Sequence, residues 1–286
     1  MDPKQLVILA FQISIICTVF GFGLKATPDD LLYVLRRPGL LARSLIAVFL
    51  IMPIVAIALA RWFDFPRTVN IALIALALAP TPPLLPGRET RSGGHEPYGL
   101  GLMAVLALLS IALVPLSIKL LGTFVGLPFS LSPMAIAAIV FKAALLPLAA
   151  GIIVRALMPA VAARLDWPLT LIVLILLPLA VLVVLVTTAP AMWRLIGSGT
   201  LLAILLFLSI GLAVGHVLGG PEPDHSMVLA LSTACRHPAI ALSIASVNYP
   251  EEQFAPIILI YLLLGVVVGI PYAVWNRRHI TAHVPA

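Results

Sequence analysis

The residues in this chain that are best suited to chemistry lie in one interruption of an apolar segment. Ser232-Thr233-Ala234-Cys235-Arg236-His237-Pro238 breaks the apolar run between Met227 and Val247. An arginine at the centre of a membrane helix costs at least about 3 kcal/mol on insertion scales, and proline frees backbone groups that then need other partners. Such an interruption predicts a binding site inside the membrane.

The composition indicates a polytopic membrane protein. Of the 286 residues, 62% are hydrophobic and only 10% are charged, which is too apolar for a soluble domain. The net charge of +6 comes from arginines beside apolar segments, so the expected partner is the lipid bilayer and not a nucleic acid. Cys17 and Cys235 both fall in apolar segments, so no disulfide is expected.

Nine apolar segments are long enough to cross a bilayer, which predicts an all-α fold with nine transmembrane helices. The segments run near residues 5–24, 39–60, 68–92, 98–121, 132–157, 168–190, 197–219, 226–248 and 254–276. Ten lysines and arginines lie in the loops after the first, third, fifth and seventh spans and at the C-terminus, and five lie on the opposite side. This asymmetry predicts an outside N-terminus and a cytoplasmic C-terminus.

Two of the nine spans are broken at corresponding places. Pro80-Thr81-Pro82-Pro83-Leu84-Leu85-Pro86-Gly87 interrupts the third span, and Arg236-His237-Pro238 interrupts the eighth. Paired discontinuous helices are typical of the binding site of a secondary transporter built from inverted repeats. The predicted halves are residues 1–122, with spans 1–4 and a broken helix at 80–86, and residues 131–278, with spans 5–9 and a broken helix at 235–238.

The chain resembles the bile acid/sodium symporter family in these blocks, in Gly21-Phe22-Gly23-Leu24 and in the link from Asp29-Asp30 to Arg36-Arg37-Pro38. The resemblance covers nearly the whole length and is to a bacterial branch, here without the family's first helix. It implies a core domain of spans 3–5, 7 and 8 and a panel domain of spans 1, 2, 6 and 9. It also implies two crossing broken helices, alternating access and a place in the bacterial inner membrane.

The chain departs from the sodium-coupled members at the second break. The symporters similar to it carry an acid before this break and a glutamine and an asparagine at it, where this chain has Ser232 and Arg236-His237. All eleven acids fall in termini, in links or, for Glu89, in the polar stretch 88–95 in which the third segment ends, so no apolar part of a span is expected to hold a carboxylate. Sodium coupling is therefore not expected. No other cofactor is expected either. The alternative is a sodium symporter that uses hydroxyl and carbonyl ligands.

Lys142 and Arg236 are the two cations inside predicted spans, and with no acid beside them they favour a small organic anion as solute. The half-helix that starts at Pro238 also points its positive dipole end toward the break. In the alternative interpretation, Lys142 extends to the interface and Arg236 clamps backbone carbonyls. The predicted solute-binding residues are Thr81, Pro82, Pro83, Lys142, Ser232, Thr233, Cys235, Arg236, His237 and Pro238.

His237 is a candidate for proton coupling, although beside Arg236 a fixed neutral hydrogen-bonding role is the expected one. The chain is not expected to be an enzyme, because it has no P-loop and no buried acid to orient a serine and a histidine. No metal is expected, because His95 and Glu96 are isolated in the sequence. A membrane sensor with the transporter fold is the alternative from another functional class. The sequence leaves the solute's identity and the oligomeric state open.

Overall fold

Prolines mark where many of the helices begin. At the first position of a helix the missing N–H of proline would have had no partner, and its fixed φ suits the helix. Helices of this chain start at Pro28, Pro38, Pro133, Pro159, Pro223 and Pro238. The computed structural model describes residues 3–125, 133–197 and 199–282, and these form helices and connecting turns without a strand.

The described ranges contain fourteen α-helices and two π-helical segments, Ile46–Ile51 and Phe141–Leu145. The α-helices are α1 (Pro3–Lys25), α2 (Pro28–Leu32), α3 (Pro38–Leu45), α4 (Met52–Trp62), α5 (Arg67–Leu78), α6 (Leu85–Arg91), α7 (Glu96–Val125), α8 (Pro133–Val140), α9 (Leu146–Leu157), α10 (Pro159–Leu195), α11 (Thr200–Gly219), α12 (Pro223–Ala234), α13 (Pro238–Asn248) and α14 (Ala255–Ala282).

Seven helical stretches in the described part of the chain are long and apolar enough to cross a membrane. They are Pro38–Trp62, Glu96–Ser117, Ala137–Leu157, Pro159–Leu195, Thr200–Gly219, Pro223–Asn248 and Ala255–His279. Two shorter apolar stretches, Leu9–Lys25 and Arg67–Leu78, fall within the first and third predicted spans. The chain is therefore an all-helical polytopic membrane protein, and the nine-helix inverted repeat stays a prediction.

The two half-helices that lead into the breaks are enclosed by the rest of the protein. In α5, Val69 and every residue of 71–78 are buried, and in α12 every residue of 226–234 is buried. By contrast, only Ala162 and Ala180 are buried in the 37 residues of α10. The centre of the fold is thus built around the discontinuous helices, and α10 lies at its periphery.

Close glycine contacts hold α11 against α12, as the spacing of Gly211, Gly215 and Gly219 predicts. A Cβ atom on Gly211 would lie 2.9 Å from the Cα of Ala234, and a Cβ on Gly215 would overlap Ala230. The backbones of the two helices therefore meet directly, which fixes the position of the broken span.

The remaining packing separates two groups of helices. The first group consists of α1, α9 and α10, in which α1 packs mainly against the other two helices. In the second, α5 packs against α4 and α13, and α11 packs against α12 and α14. The helices on either side of the Ile46–Ile51 π-segment, α3 and α4, also contact α11. The second span therefore packs against the same group of helices as the broken spans.

Candidate functional site

The two breaks are short extended segments between half-helices. The α5 helix ends because Ala79 is extended (φ −70°, ψ 143°) and three of the next four residues are prolines. The α12 helix ends at Cys235, which is also extended, and α13 restarts at Pro238. We call residues 79–84 and 235–237 together the junction.

Hydrogen bonds join the two halves of the junction. The backbone N–H of His237 donates to the carbonyl of Pro80 at 2.7 Å. From the neighbouring residue, Nη1 of Arg236 points to the carbonyl of Ala79 at 3.4 Å. The breaks therefore contact each other, and each satisfies backbone groups that the other leaves without helical partners.

Arg236 is fully buried, and its second contact is to the π-helical segment of the second span. Its Nη2 donates to the carbonyl of Val48 at 3.0 Å. That carbonyl is available because the N–H of Met52 bonds Ala47 and the next residue, Pro53, has no N–H. The π-segment thus supplies the acceptor that Arg236 uses.

The backbone of Arg236 is fixed as well. Its N–H donates to the hydroxyl of Tyr261, and that hydroxyl donates to the carbonyl of Ala234 at 2.8 Å. These contacts correspond to the clamp interpretation of Arg236, in which it binds the carbonyls of a broken helix. Tyr261 lies in α14 and carries no sequence signal that would have singled it out.

Several buried polar atoms in the junction or within two residues of it have no hydrogen-bond partner among the described residues. They are Oγ1 of Thr81, Oγ1 of Thr233, Nε of Arg236 and Nδ1 of His237. Buried polar atoms are almost always paired, so these four mark where a polar ligand or an ion could be held. All four belong to predicted site residues. Of the remaining ones, Pro83 is buried, and Pro82, Cys235 and Pro238 are partly exposed.

Glu89 corrects the expectation that no acid lies within the folded spans. It belongs to α6, the helix that follows the first break, and only 1% of it is exposed. The hydroxyl of Ser232 donates to its Oε1 at 2.7 Å. The sequence places Glu89 among charged residues, and burial arises only because α6 folds back against α12. Its flanking glycines, Gly94 and Gly99, were the available signal.

Arg88 occupies the other side of α6. Its Nη2 donates to the carbonyl of Gly265 at 2.9 Å, and its Nη1 lies 3.8 Å from the sulfur of Cys235. The side chain of Cys235 is therefore next to this guanidinium. Arg88 could not be assigned to the site from sequence, because it follows the proline cluster in a stretch that reads as a polar link.

Lys142 is an exposed side chain and not a buried cation as expected. It lies in the π-segment Phe141–Leu145, away from the junction contacts described above. A lysine in a membrane segment can extend its ammonium group toward the membrane surface while its methylene chain stays in apolar surroundings. This exposure agrees with the alternative in which Lys142 extends to the interface, and its assignment to the solute site stays a prediction.

A crevice of about 410 Å³ lies between the two helix groups. Its walls come from α1, α6 and α10, with Thr18, Thr90 and Thr170 among the polar lining residues. At its mouth Lys25 pairs with Asp166 at 2.7 Å, while Arg91 and Glu96 also line it. A volume of this size suits a small organic molecule.

A histidine cluster lies at the end of the molecule that carries the α6–α7 link. Ligand atoms of His95, Asp224 and His225 lie within 4.8 Å of one another, so His95 is not isolated in the folded chain. The hydroxyl of Tyr33 lies 2.8 Å from Nε2 of His225. Burial lowers the pKa of His95, and His225 and Arg37 lower it further, whereas Asp224 and Asp30 raise it.

The family model described as the sodium bile acid symporter family matches residues 12–195. The chain belongs to this family. A Bacillus subtilis (strain 168) protein named "Uncharacterized sodium-dependent transporter YocS" is 27% identical over 137 residues, which is 48% of this chain. The match covers 42% of the relative, so the chain spans less than half of that protein's length. The family-model match confirms the predicted family, and it includes the first broken segment and ends before the second.

Proposed function

We propose that this sodium bile acid symporter family member is a secondary transporter of a small organic anion. The crevice between α1, α6 and α10 carries the proposal. It is about 410 Å³ in volume, it adjoins a half-helix of the first broken span, and Arg91 stands in its wall. No ion pair is recorded for Arg91 within the described ranges, so its charge is available to a carboxylate or sulfonate of the solute.

Charge in the neighbourhood of the broken helices supports an anion. Arg88, Arg91 and Arg236 all lie on α6 or at the junction, and the described residues offer none of them a carboxylate within 4 Å. The carboxyl of Glu89 bonds Ser232 instead. Three arginines against one carboxyl group give the neighbourhood of the broken helices a net positive formal charge, which attracts anions, while the crevice itself is lined by Lys25 and Arg91 together with Glu96 and Asp166.

Helix contacts suggest how alternating access would work. We place α1, α9 and α10 in the panel domain and the helices around the junction in the core domain. In terms of the predicted spans, the second and ninth spans then belong to the core, and the fifth span, which ends in α9, belongs to the panel. This differs from the sequence-based division of spans. The crevice lies between these two groups, so rotation of one against the other would open and close it. The positive-inside pattern of Lys25, Arg91 and Arg155 favours a cytoplasmic opening.

Sodium coupling is the second candidate, and the relative's name favours it, since that protein is called a sodium-dependent transporter. The hydroxyls of Thr81 and Thr233, which lack partners among the residues described, are the oxygens that such coupling would use. A membrane sensor with the same fold would bind solute without moving it.

Uptake into proteoliposomes tests the proposal. Purified protein would be assayed with radiolabelled taurocholate, pyruvate, succinate and citrate, and with choline as a cationic control, in sodium and in potassium. We expect uptake and counterflow of at least one anion and none of choline. Arg91→Ala should raise the KM by about tenfold, Arg91→Lys by less, and Arg164→Ala, an exposed arginine of α10 outside the crevice lining, should have no effect. Transport of choline alone would contradict the proposal, and binding without counterflow would favour the sensor.

A further inference from the structure

The carboxyl group of Glu89 bridges the two broken spans. Glu89 lies in α6, the half-helix after the first break, and Ser232 lies in α12, the half-helix before the second. The Ser232 hydroxyl donates to Oε1 at 2.7 Å, and both residues are buried, with 1% and 3% of their surface exposed. A single hydrogen bond thus joins an ionisable group of one broken span to the other.

Two glycines pack closely against Glu89, one against its carboxyl group and one against its backbone. A Cβ on Gly99 would lie 2.6 Å from Oε2, and a Cβ on Gly94 would lie 3.0 Å from the backbone carbonyl of Glu89. The space occupied by the carboxyl group therefore exists only because residue 99, in the first turn of α7, is a glycine. Oε2 faces this backbone, and no donor to it is recorded among the described residues.

The charges around Glu89 do not neutralise it. Its neighbour Arg88 directs its guanidinium to the carbonyl of Gly265 and toward Cys235, and no cationic group within the described ranges lies within 4 Å of the carboxyl oxygens. The other titratable groups facing the site are Tyr98 of α7, whose hydroxyl bonds Ser44, and Cys235 beyond α12. A buried carboxylate with one hydrogen bond and no ion-pair partner is costly even with the Arg88 charge nearby, whereas burying the neutral acid costs less.

We propose that Glu89 holds a proton in this conformation and is the group that couples transport to a proton gradient. The coupling role rests on the proposed transport function. The same helix lines the crevice through Gly87, Thr90 and Arg91, so a solute in the crevice contacts α6 directly, and a shift of this short helix within the core separates Glu89 from Ser232. When the two residues separate and water enters, the Glu89 O–H bond breaks, the proton passes to water and the carboxylate remains. A proton taken from the other side restores the acid and the contact with Ser232.

Infrared spectroscopy of the purified protein tests the protonation without any solute. At neutral pH we expect a C=O stretching band of a protonated carboxylic acid that shifts in D2O and is lost in Glu89→Gln. Glu251→Gln, which changes an exposed acid, should leave the band in place. If Glu89→Gln folds poorly, Ser232→Ala decides instead, because loss of the donor should move the band to higher frequency. A wild-type spectrum without such a band overturns the proposal.

Transport then tests the coupling. With an anion carried by the wild type, an imposed proton gradient should accelerate uptake, and in Glu89→Gln this acceleration should fall by about tenfold or more while counterflow continues. Acceleration by sodium alone, with no response to the proton gradient, overturns the coupling role. If the wild type carries no anion, the proposed transport function fails with the coupling, and the infrared band still decides whether Glu89 holds a proton.

Discussion

The guanidinium of Arg236 reaches the backbone carbonyl of Val48 across 3.0 Å. This bond ties the second break to a π-helical segment of another span, and a weaker contact at 3.4 Å ties it to the first break at Ala79. An arginine in this position offers five donors in one plane and remains charged. It can therefore donate hydrogen bonds to backbone carbonyls of two segments, which the lipid chains of a membrane cannot do.

Removing the side chain of Arg236 should destabilise the fold. Arg236→Ala leaves the carbonyls of Val48 and Ala79 buried without donors, which costs about 2–5 kcal/mol of unfolding free energy. Arg236→Lys should lose less unfolding free energy than Arg236→Ala, because an ammonium group keeps the charge and can bond one of the two carbonyls. It should still be less stable than the wild type, because it cannot span both acceptors in one plane. Thermal unfolding in detergent measures the difference. A wild-type Tm in Arg236→Ala combined with loss of solute-induced stabilisation would assign Arg236 to solute binding.

The breaks themselves could be predicted from the sequence, because proline and charge in an apolar run have few other interpretations. Pro80 to Pro86 and Arg236-His237-Pro238 both lie where the helices end, and they bond each other. The broken spans and the family therefore followed from local sequence. The role of Arg236 did not, since its acceptors belong to other segments, one of them 188 residues away.

Which polar residues are buried could not be predicted from the sequence. Glu89 sits between Arg88 and Thr90 in a stretch that looks like a surface link, yet its carboxyl group is enclosed by α7 and α12. Lys142 sits in an apolar stretch that looks buried, yet it is exposed. In both cases the deciding factor is which neighbouring helix covers the residue, and that depends on tertiary packing.

The glycine contact between α11 and α12 should be sensitive to a single methyl group. A Cβ at Gly215 would overlap the backbone of Leu229 and Ala230, so Gly215→Ala should cost about 1–3 kcal/mol despite the better helix propensity of alanine. Gly265→Ala is the matched control, because its Cβ would meet only Leu208 at an ordinary 3.8 Å. Thermal unfolding of the two variants measures this. Equal Tm values would contradict the close contact.

The two native cysteines should report the crevice. Cys17 lines it, whereas Cys235 does not and lies behind the Arg88 guanidinium. A membrane-impermeant methanethiosulfonate should therefore modify Cys17 about tenfold or more faster than Cys235, because thiol reactivity follows access to the reagent. The single-cysteine variants Cys235→Ala and Cys17→Ser, labelled in sided vesicles and analysed by mass spectrometry, give the two rates. Labelling of Cys17 only from the outside would contradict a cytoplasmic opening, and faster labelling of Cys235 would contradict the crevice.

His95 should make stability fall in mild acid. Burial lowers its pKa below the ordinary value of 6.5, so the unfolded chain binds a proton more readily than the folded one. The contribution of neutral His95 is therefore complete above the unfolded-state pKa and is lost as the pH falls through it toward the folded-state pKa. Between about pH 7 and about pH 5, the Tm of the wild type should decline more steeply than that of His95→Gln, which cannot be protonated in this range. Circular dichroism melts across this range compare the slopes. Parallel slopes would show that His95 titrates alike in the folded and unfolded chains, and a steeper decline in His95→Gln would reverse the sign of the effect.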